Sequence, residues 1–321
     1  GFEVVLEHDR LPFVSYPYEW TFGMLRSAAL LQLDLLEQAL AEGFVLKDAS
    51  AFNSQWIGPR PVFVDVSSFE PLEAGEAWAG YRQFCEMFLY PLMLRAYRGV
   101  PFQPWLRGRV DGMTPAVFGR LVSLRDWLRP GVFKHGVLQA MLQAGTQGRD
   151  VDMRSTLRDA GFGRELILTN VRGLRRLVRD LRVADVRSEW GDYATECSYS
   201  AEEIAAKRAF VAEACAERPR SLVFDLGANT GDYSLIVAPR AGYVVSIDAD
   251  ELAVERLGAR LRAEGPRNVL PLCINLADPS PGLGWRGRER RDLIGRGRPD
   301  LTLCLAVVHH LAITANVPLV E

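Results

Sequence analysis

The sequence predicts an α/β protein in which a mainly α-helical region precedes a doubly wound, mostly parallel sheet. After residue 200, short apolar runs alternate with helical patterns, and this alternation is typical of parallel strands joined by helical crossovers. Before residue 145, apolar residues recur mostly at helical spacing. We therefore expect a helical domain over 1–145, a linker with an amphipathic helix over 146–199, and an α/β domain over 200–321.

The composition limits the partners that the protein can have. The chain has 321 residues, with 38 Lys and Arg against 40 Asp and Glu, and a net charge of −2. Such a balance gives no field that would hold the protein on nucleic acid or on an anionic bilayer. No apolar run reaches the ~18 residues of a membrane span. We predict neither a membrane partner nor a strong nucleic-acid partner.

The cysteines predict a reducing compartment. Five are scattered along the chain, with no C-x-x-C pair and no cluster with histidine at zinc spacing. The first twenty residues carry acids instead of a basic and apolar leader. A cytoplasmic location with free thiols is the expectation, although the chain begins at Gly1 and a leader could precede it.

The first 145 residues predict helices around one small β element. The predicted elements are, in order, a buried helix from Met24 to Glu42, a short strand at Val45–Leu46, a hairpin that turns at Gly58–Pro59 and returns through Pro61–Asp65, and helices over Trp78–Ala96 and between Pro115 and Ala144.

Five arginines share one side of a predicted helix that follows a polar candidate linker, Gly145–Asp152. They are Arg172, Arg175, Arg176, Arg179 and Arg182. One interpretation is the solvated face of an amphipathic helix. The other is a docking surface for an anionic partner.

From residue 200 the pattern is that of an α/β domain. The predicted elements are a helix opened by the capping box Ser200–Glu203 and running to about Glu217, strands at Leu222–Leu226, Val244–Ile247, Val269–Ile274 and Leu301–Val308, and helices over Asp232–Ala238 and Glu251–Glu264.

The strongest motif is a buried strand that runs into a glycine turn and a helix, Val223–Asp232. In a doubly wound sheet such a turn lies at the carboxyl end of the strand, where ligands bind. Counting from Gly227, the later glycine positions of a dinucleotide motif hold Asn229 and Asp232. An acid at the start of the helix disfavours a phosphate. NAD is therefore not the expected ligand.

An acid ends the second strand of this domain. Asp248 follows the glycine turn by about 20 residues, where a carboxylate can accept hydrogen bonds from both ribose hydroxyls. The two features together favour a nucleoside without a phosphate chain. S-adenosylmethionine fits this description.

These residues resemble the front half of a class I S-adenosylmethionine-dependent methyltransferase, with its Rossmann-like sheet. The resemblance implies cofactor binding by Asp225, Gly227, Asn229, Gly231, Asp248 and Asn275, with Tyr193 or Tyr199 as a lid residue over the cofactor. The methyl acceptor is not identified by the sequence. The alternative interpretation of the motif is a plain strand-to-helix turn, and that of either tyrosine is surface packing.

Two histidines follow the predicted fourth strand, whose carboxyl end faces the methyl group in that family. His309 and His310 are adjacent, so on a strand they would point to opposite faces and only one would face the cofactor. A neutral imidazole there can take the acceptor's proton. The alternative is a histidine that merely closes the pocket.

A second resemblance lies in the first half. Asp48, Asn53 and Asp65 have the spacing of the catalytic loop and metal-binding aspartate of protein-kinase-like folds, and the surrounding region resembles their helical lobe. No His-Arg precedes Asp48, and Val66–Ser67 replaces the Phe-Gly after Asp65. The competing hypothesis is a nucleotide-binding or scaffold protein with Asn53 and Asp65 as metal ligands, and a polar hairpin without function is the third interpretation.

Three features together, the entry segment Phe13–Trp20, the Lys47–Asn53 loop and the methyltransferase-like half, resemble a group of bacterial two-part methyltransferases over nearly the whole chain. The methyltransferase sheet has seven strands in that family, and we count four before Glu321. We therefore expect a fragment that lacks the last three strands and that turns over weakly or not at all, with a missing upstream lobe as a second, open expectation. Its fourth strand would have an unpaired edge.

Overall fold

The computed structural model describes residues 7–73, 77–139, 163–183 and 200–318. The chain forms two compact units. The sheet unit comprises Gly1–Ser15, Trp56–Arg60 and Ser188–Glu321, and the helical unit comprises Tyr16–Gln55 and Pro61–Arg187. The N-terminal segment and the tip of the hairpin thus belong with the sheet, so the units are not separated by one cut along the chain. The predicted linker at Gly145–Asp152 lies outside the described residues.

The described part of the chain before residue 184 is mostly helical, as the sequence predicts. Its helices and strands are α1 (Phe22–Ala41), β1 (Phe44–Leu46), β2 (Ser54–Ile57), β3 (Arg60–Phe63), β4 (Phe69–Pro71), α2 (Tyr81–Phe84), α3 (Tyr90–Arg98), α4 (Gln103–Gly108), α5 (Pro115–Leu121) and α6 (Arg164–Asp180).

The buried helix and the hairpin are confirmed. Thr21 caps α1 by accepting a hydrogen bond from the backbone N–H of Met24 at 3.3 Å, and Gly43, with φ of +85°, follows the end of the helix. Strand β1 pairs antiparallel with β4. The sequence analysis missed β4, because a three-residue strand that ends in proline carries almost no periodic signal.

The described part of the helical unit contains two π-helical turns, and a buried histidine lies on the second. One, Cys85–Leu89, joins α2 to α3, and the other, Val132–Val137, carries His135. The hydroxyl of Tyr81 lies 2.7 Å from His135 Nδ1, and that of Tyr90 donates to the His135 carbonyl at 2.6 Å. Burial lowers the pKa of His135 to about 4, so the ring is neutral at pH 7.

The arginine face of α6 is partly used inside the helical unit. Arg172 Nε lies 2.8 Å from a carboxylate oxygen of Glu37, and Arg175 Nε lies 2.6 Å from one of Asp34, both acids being on α1. For these two arginines the anionic partner is therefore α1 itself. Neither of the two interpretations of the pattern anticipated this, because spacing along one helix does not show which helix packs beside it.

The sheet unit contains an all-parallel sheet. Its elements from residue 200 are α7 (Ala201–Ala216), β5 (Arg220–Leu226), α8 (Asp232–Val237), β6 (Ala241–Asp248), α9 (Glu251–Glu264), β7 (Val269–Cys273), α10 (Leu293–Arg296) and β8 (Leu301–Cys304). The four strands lie in the order β7-β6-β5-β8, each parallel to its neighbours. The capping box is confirmed, since Ser200 Oγ accepts from the Glu203 N–H and Glu203 accepts from the Ser200 N–H.

Three helices cover one face of this sheet. One buried cluster joins α7, α8 and α9 to the strands: Val211, Cys215, Val223, Val237, Ala238, Val244, Leu257, Leu261, Val269 and Leu303. On the other face, Phe224 meets Phe13 edge to face, with ring centroids 5.8 Å apart. Phe13 thus covers part of the face opposite the three helices.

The predicted extent of the fourth strand is wrong. Strand β8 ends at Cys304, Ala306 has a left-handed φ of +59°, and a π-helical turn begins at His310. Among the described residues, no helix is long and apolar enough to cross a bilayer. The described cysteines Cys85, Cys215, Cys273 and Cys304 are free thiols.

Candidate functional site

The carboxyl ends of the four parallel strands bring most of the predicted site residues to one edge of the sheet. Here lie the glycine loop after β5 (Gly227–Gly231), Asp248 at the end of β6, Asn275 after β7 and the turn that follows β8. The chain proceeds from β5 outward to β6 and β7 and then returns to the other side of β5. The strand order therefore reverses between β5 and β8, which is where ligands bind in open α/β sheets.

The glycine loop is fixed to the end of β6 by its backbone. The N–H groups of Gly227 and Ala228 both donate to the carbonyl of Ile247, at 2.8 and 2.9 Å. Gly227 has a φ of +73°, and a Cβ on it would lie 2.0 Å from Cγ2 of Val307, in the segment after β8. Both facts require glycine. The loop thus lies directly against the segment that precedes the histidines.

Gly231 serves packing in the same way. It is the N-cap residue of α8, with a φ of +81°, and a Cβ would lie 2.4 Å from Cδ1 of Leu257 on α9. These two glycines are therefore explained by backbone conformation and by contacts within the protein. They shape the loop, and the ligand argument depends on the polar residues around it.

Asp248 connects the loop to the next helix. One carboxylate oxygen accepts from the Asn229 N–H at 2.8 Å, and the other accepts from the Asp250 N–H at 2.9 Å. Asn229 has a left-handed φ of +48°, a conformation that asparagine tolerates better than most residues. Burial raises the pKa of Asp248 above its usual value, and the backbone hydrogen bonds only partly offset this rise. Each oxygen keeps a lone pair for a further donor.

Asp225 lies beneath the loop and not at its surface. Its side chain is 2% exposed, and its carboxylate accepts a hydrogen bond of 2.6 Å from Ser234 on α8. The Ser234 hydroxyl lies 2.7 Å from that of Ser246, which is opposite Asp225 on β6. Burial raises the pKa of Asp225 to about 6. Asp225 therefore acts on the loop through α8 and β6. Sequence reasoning missed Ser234 and Ser246, whose only signal was a polar residue within each apolar segment.

Asn275 is at the predicted edge but supports its own loop. Its side-chain oxygen accepts from the Ala277 N–H at 3.0 Å, and its carbonyl accepts from the Asp278 N–H at 3.0 Å. The side chain is exposed. Its amide NH₂ is the part that a ligand would contact.

His309 and His310 lie on a helical turn and not on a strand. Their ring centroids are 3.9 Å apart, with 40° between the ring planes, so the two imidazoles lie side by side. The expectation that they point to opposite faces is therefore wrong, because the strand ends five residues before His309. His309 is exposed, and His310 is partly buried. Tyr193 and Tyr199, the two candidate lid residues, lie outside the described residues.

The kinase-like residues of the helical unit lie in a closed hydrogen-bond cluster. Asn53 Nδ2 donates to Asp65 at 3.1 Å, and the hydroxyls of Ser67 and Ser68 donate to the two carboxylate oxygens of Asp65. The serine hydrogen bonds lower the pKa of Asp65 below its usual value. Asp48 is used in a local turn, accepting from the Ser50 N–H at 3.1 Å. The structure thus joins Asn53 to Asp65.

In the part of the chain that the structure describes, no three His, Cys, Asp or Glu side chains are grouped so that they could hold a metal ion.

The fold and the edge residues define an α/β protein with a candidate ligand site at the carboxyl ends of a parallel sheet. The chain is 38% identical over 321 residues to the nodulation protein NoeA of Rhizobium meliloti (strain 1021), a match that covers 99% of this chain and 67% of that protein. It belongs to the NoeA family. No protein-family model and no solved structure matches the chain.

Proposed function

We propose that the sheet unit binds S-adenosylmethionine and that the protein is a methyltransferase. The observation that carries this proposal is the hydrogen bond from the Asn229 N–H to the carboxylate of Asp248. It makes the glycine loop and the acid one rigid element beside the point where the strand order reverses. A ribose on this element would lie at the usual ligand edge of an open α/β sheet.

The donors and acceptors of this edge fit the proposed ligand. Asp248 can accept one hydrogen bond from each of two ribose hydroxyls while it keeps both backbone contacts. Its raised pKa means that the carboxylate is poorly solvated, so hydroxyl donors would stabilise its charge. Asp232, at the start of α8, lies 3.0 Å from Arg260, so its charge is partly compensated and is a minor argument against a phosphate there.

The protein's contribution to the reaction is positioning and proton removal. The bound S-adenosylmethionine supplies an electrophilic methyl group on a sulfonium. The loop and Asp248 hold the ligand, and positioning supplies much of the rate of an in-line displacement. His309 or His310 takes the proton that the acceptor loses as it bonds to the methyl carbon, with the sulfur keeping the electron pair of the broken bond.

The competing hypothesis places the function at Asp48, Asn53 and Asp65. Its support is the contact between Asn53 and Asp65. Against it, Asp65 already accepts hydrogen bonds from three side-chain donors, and these stabilise its charge without a metal ion. The geometry therefore favours the sheet edge.

The setting of the reaction is also a proposal. The name of the relative assigns that protein to nodulation in a rhizobial bacterium. We propose a bacterial, cytoplasmic methyltransferase in the same process, with an acceptor that a screen of cell extracts with labelled S-adenosylmethionine would identify.

Calorimetric titration with S-adenosylhomocysteine tests the proposal. We expect binding by the wild type and a loss of at least about 10-fold in affinity for Asp248→Ala, since hydrogen bonds to a charged group are at stake. Glu264→Gln removes the same charge from an exposed position at the end of α9, and its affinity should equal that of the wild type. No binding by the wild type, or equal binding by Asp248→Ala, would contradict the proposal. Magnesium-dependent ATP binding that is lost in Asp65→Ala would support the competing hypothesis.

A further inference from the structure

A lysine occupies the sheet-facing side of α7. Lys207 precedes the buried residues Val211 and Cys215 by four and eight positions, so the three lie on one side of the helix. Val211 and Cys215 belong to the core cluster that includes the sheet. Lys207 is partly buried, whereas its neighbour Arg208 is exposed. A long cation thus continues an apolar stripe.

The direction of α7 places this lysine toward the ligand edge. The helix ends at Ala216, shortly before β5 begins at Arg220, so its first residues lie toward the carboxyl end of β5. Side chains on a helix tilt toward its N-terminus, which directs Lys207 toward the same edge. Its ammonium lies 5.0 Å from the centroid of the Tyr233 ring, and Tyr233 is two residues beyond Gly231 of the glycine loop.

The local charges agree with this placement. Burial raises the pKa of Asp225, and the positive charge of Lys207 opposes this rise slightly. Lys207 is also the only lysine between residues 200 and 321.

We propose that Lys207 binds the carboxylate of an amino-acid group in the ligand of the glycine loop. This inference rests on the proposed function, for which the group is the methionine part of S-adenosylmethionine. The Tyr233 ring holds the ammonium beside the loop. A carboxylate there gains an ion pair with a cation that is already partly desolvated.

Two ligands and three variants test the assignment by calorimetry. S-adenosylhomocysteine carries the amino-acid group, and 5′-methylthioadenosine carries the same nucleoside and sulfur without it. For Lys207→Gln we expect a loss of about 10- to 100-fold in affinity for S-adenosylhomocysteine and none for methylthioadenosine. Lys207→Arg should recover most of the loss, and Arg208→Gln, which removes an exposed charge from the same helix, should match the wild type.

Each outcome decides the matter. If Lys207→Gln lowers the affinity for both ligands equally, the lysine only stabilises the packing of α7 against α8, and the inference is wrong. If neither affinity changes, it is wrong as well. In both cases the wild type binds S-adenosylhomocysteine and the proposed function stands. If the wild type binds neither ligand, both the proposed function and the inference are wrong. Thermal unfolding of each variant checks that it folds.

Discussion

Asp248 in the sheet unit and Asp65 in the helical unit differ in the groups that donate hydrogen bonds to them, although each accepts one from an asparagine. Asp248 accepts two backbone N–H groups and has a raised pKa, because burial outweighs these contacts. Asp65 accepts from two serine hydroxyls and an asparagine amide, and its pKa is lowered. The backbone donors do not offset the burial of Asp248, so further donors from a ligand would stabilise its charge, whereas three side-chain donors already stabilise that of Asp65. The comparison therefore favours the sheet edge as the ligand site.

The largest effect should follow Gly227→Ala. The added Cβ meets Val307 and the residue keeps a φ of +73°, so we expect a loss of about 2–4 kcal/mol in the stability of the sheet unit. Gly43→Ala has a φ of +85° without any atom within 4 Å of the Cβ, and it should cost only about 1–2 kcal/mol. Hydrogen exchange measured separately in each unit reports both losses. Equal losses would show that Val307 does not constrain the loop.

The two units should respond to pH in opposite directions between about pH 6.5 and 4. The folded helical unit keeps His135 neutral, with a pKa of about 4 against 6.5, so acidification destabilises it by up to about 3 kcal/mol. The folded sheet unit holds the Asp225 proton more tightly, with a pKa of about 6 against 3.8. Raising the pH through this range therefore destabilises it by a similar amount, and acidification stabilises it.

Variants isolate these two contributions. His135→Gln should flatten the pH dependence of hydrogen exchange in the helical unit, and Asp225→Asn should flatten that in the sheet unit. If each variant kept the wild-type slope, other groups would dominate the response of both units.

Asp65→Asn should cost about 1–3 kcal/mol in the helical unit, because it weakens hydrogen bonds to a charged group, and it should leave the affinity for S-adenosylhomocysteine unchanged. Asp248→Asn should show the reverse pattern, with a larger effect on affinity than on stability. Denaturant unfolding and calorimetry on both variants measure the four quantities. A ligand effect confined to Asp65→Asn would reverse the comparison.

The smallest effect should follow Arg175→Gln, which breaks the ion pairs with Asp34 and Glu37. We expect a loss of about 0.2–1 kcal/mol that shrinks in 1 M salt, since the groups are partly exposed. Arg176→Gln, an exposed position on the same helix, is the control and should cost less. A larger loss of stability for Arg176→Gln would mean that the arginine face of α6 stabilises the unit through a different contact.

Local patterns predicted much of the fold. The capping box at Ser200, the helix over Glu251–Glu264 and the hairpin at Gly58–Pro59 were all predicted close to their observed bounds. These signals are short-range, since a cap or a turn is decided by a few neighbouring residues. The end of β8 was predicted too late, because Ala306 takes a left-handed φ that an apolar run does not reveal.

By itself, the sequence determined which elements form and which polar residues end the strands. The spacing of apolar residues, the helix caps and the acids at strand ends all depend on residues that are neighbours along the chain. Only the tertiary structure decided how those polar residues are used. It buried Asp225, which accepts a hydrogen bond from Ser234. It also brought the Asn229 N–H to the carboxylate of Asp248 and the Asn53 amide to that of Asp65. Hydrogen bonding and desolvation depend on atoms that are far apart in sequence. The balance of the two decides how far the charge of a carboxylate is already stabilised within the protein.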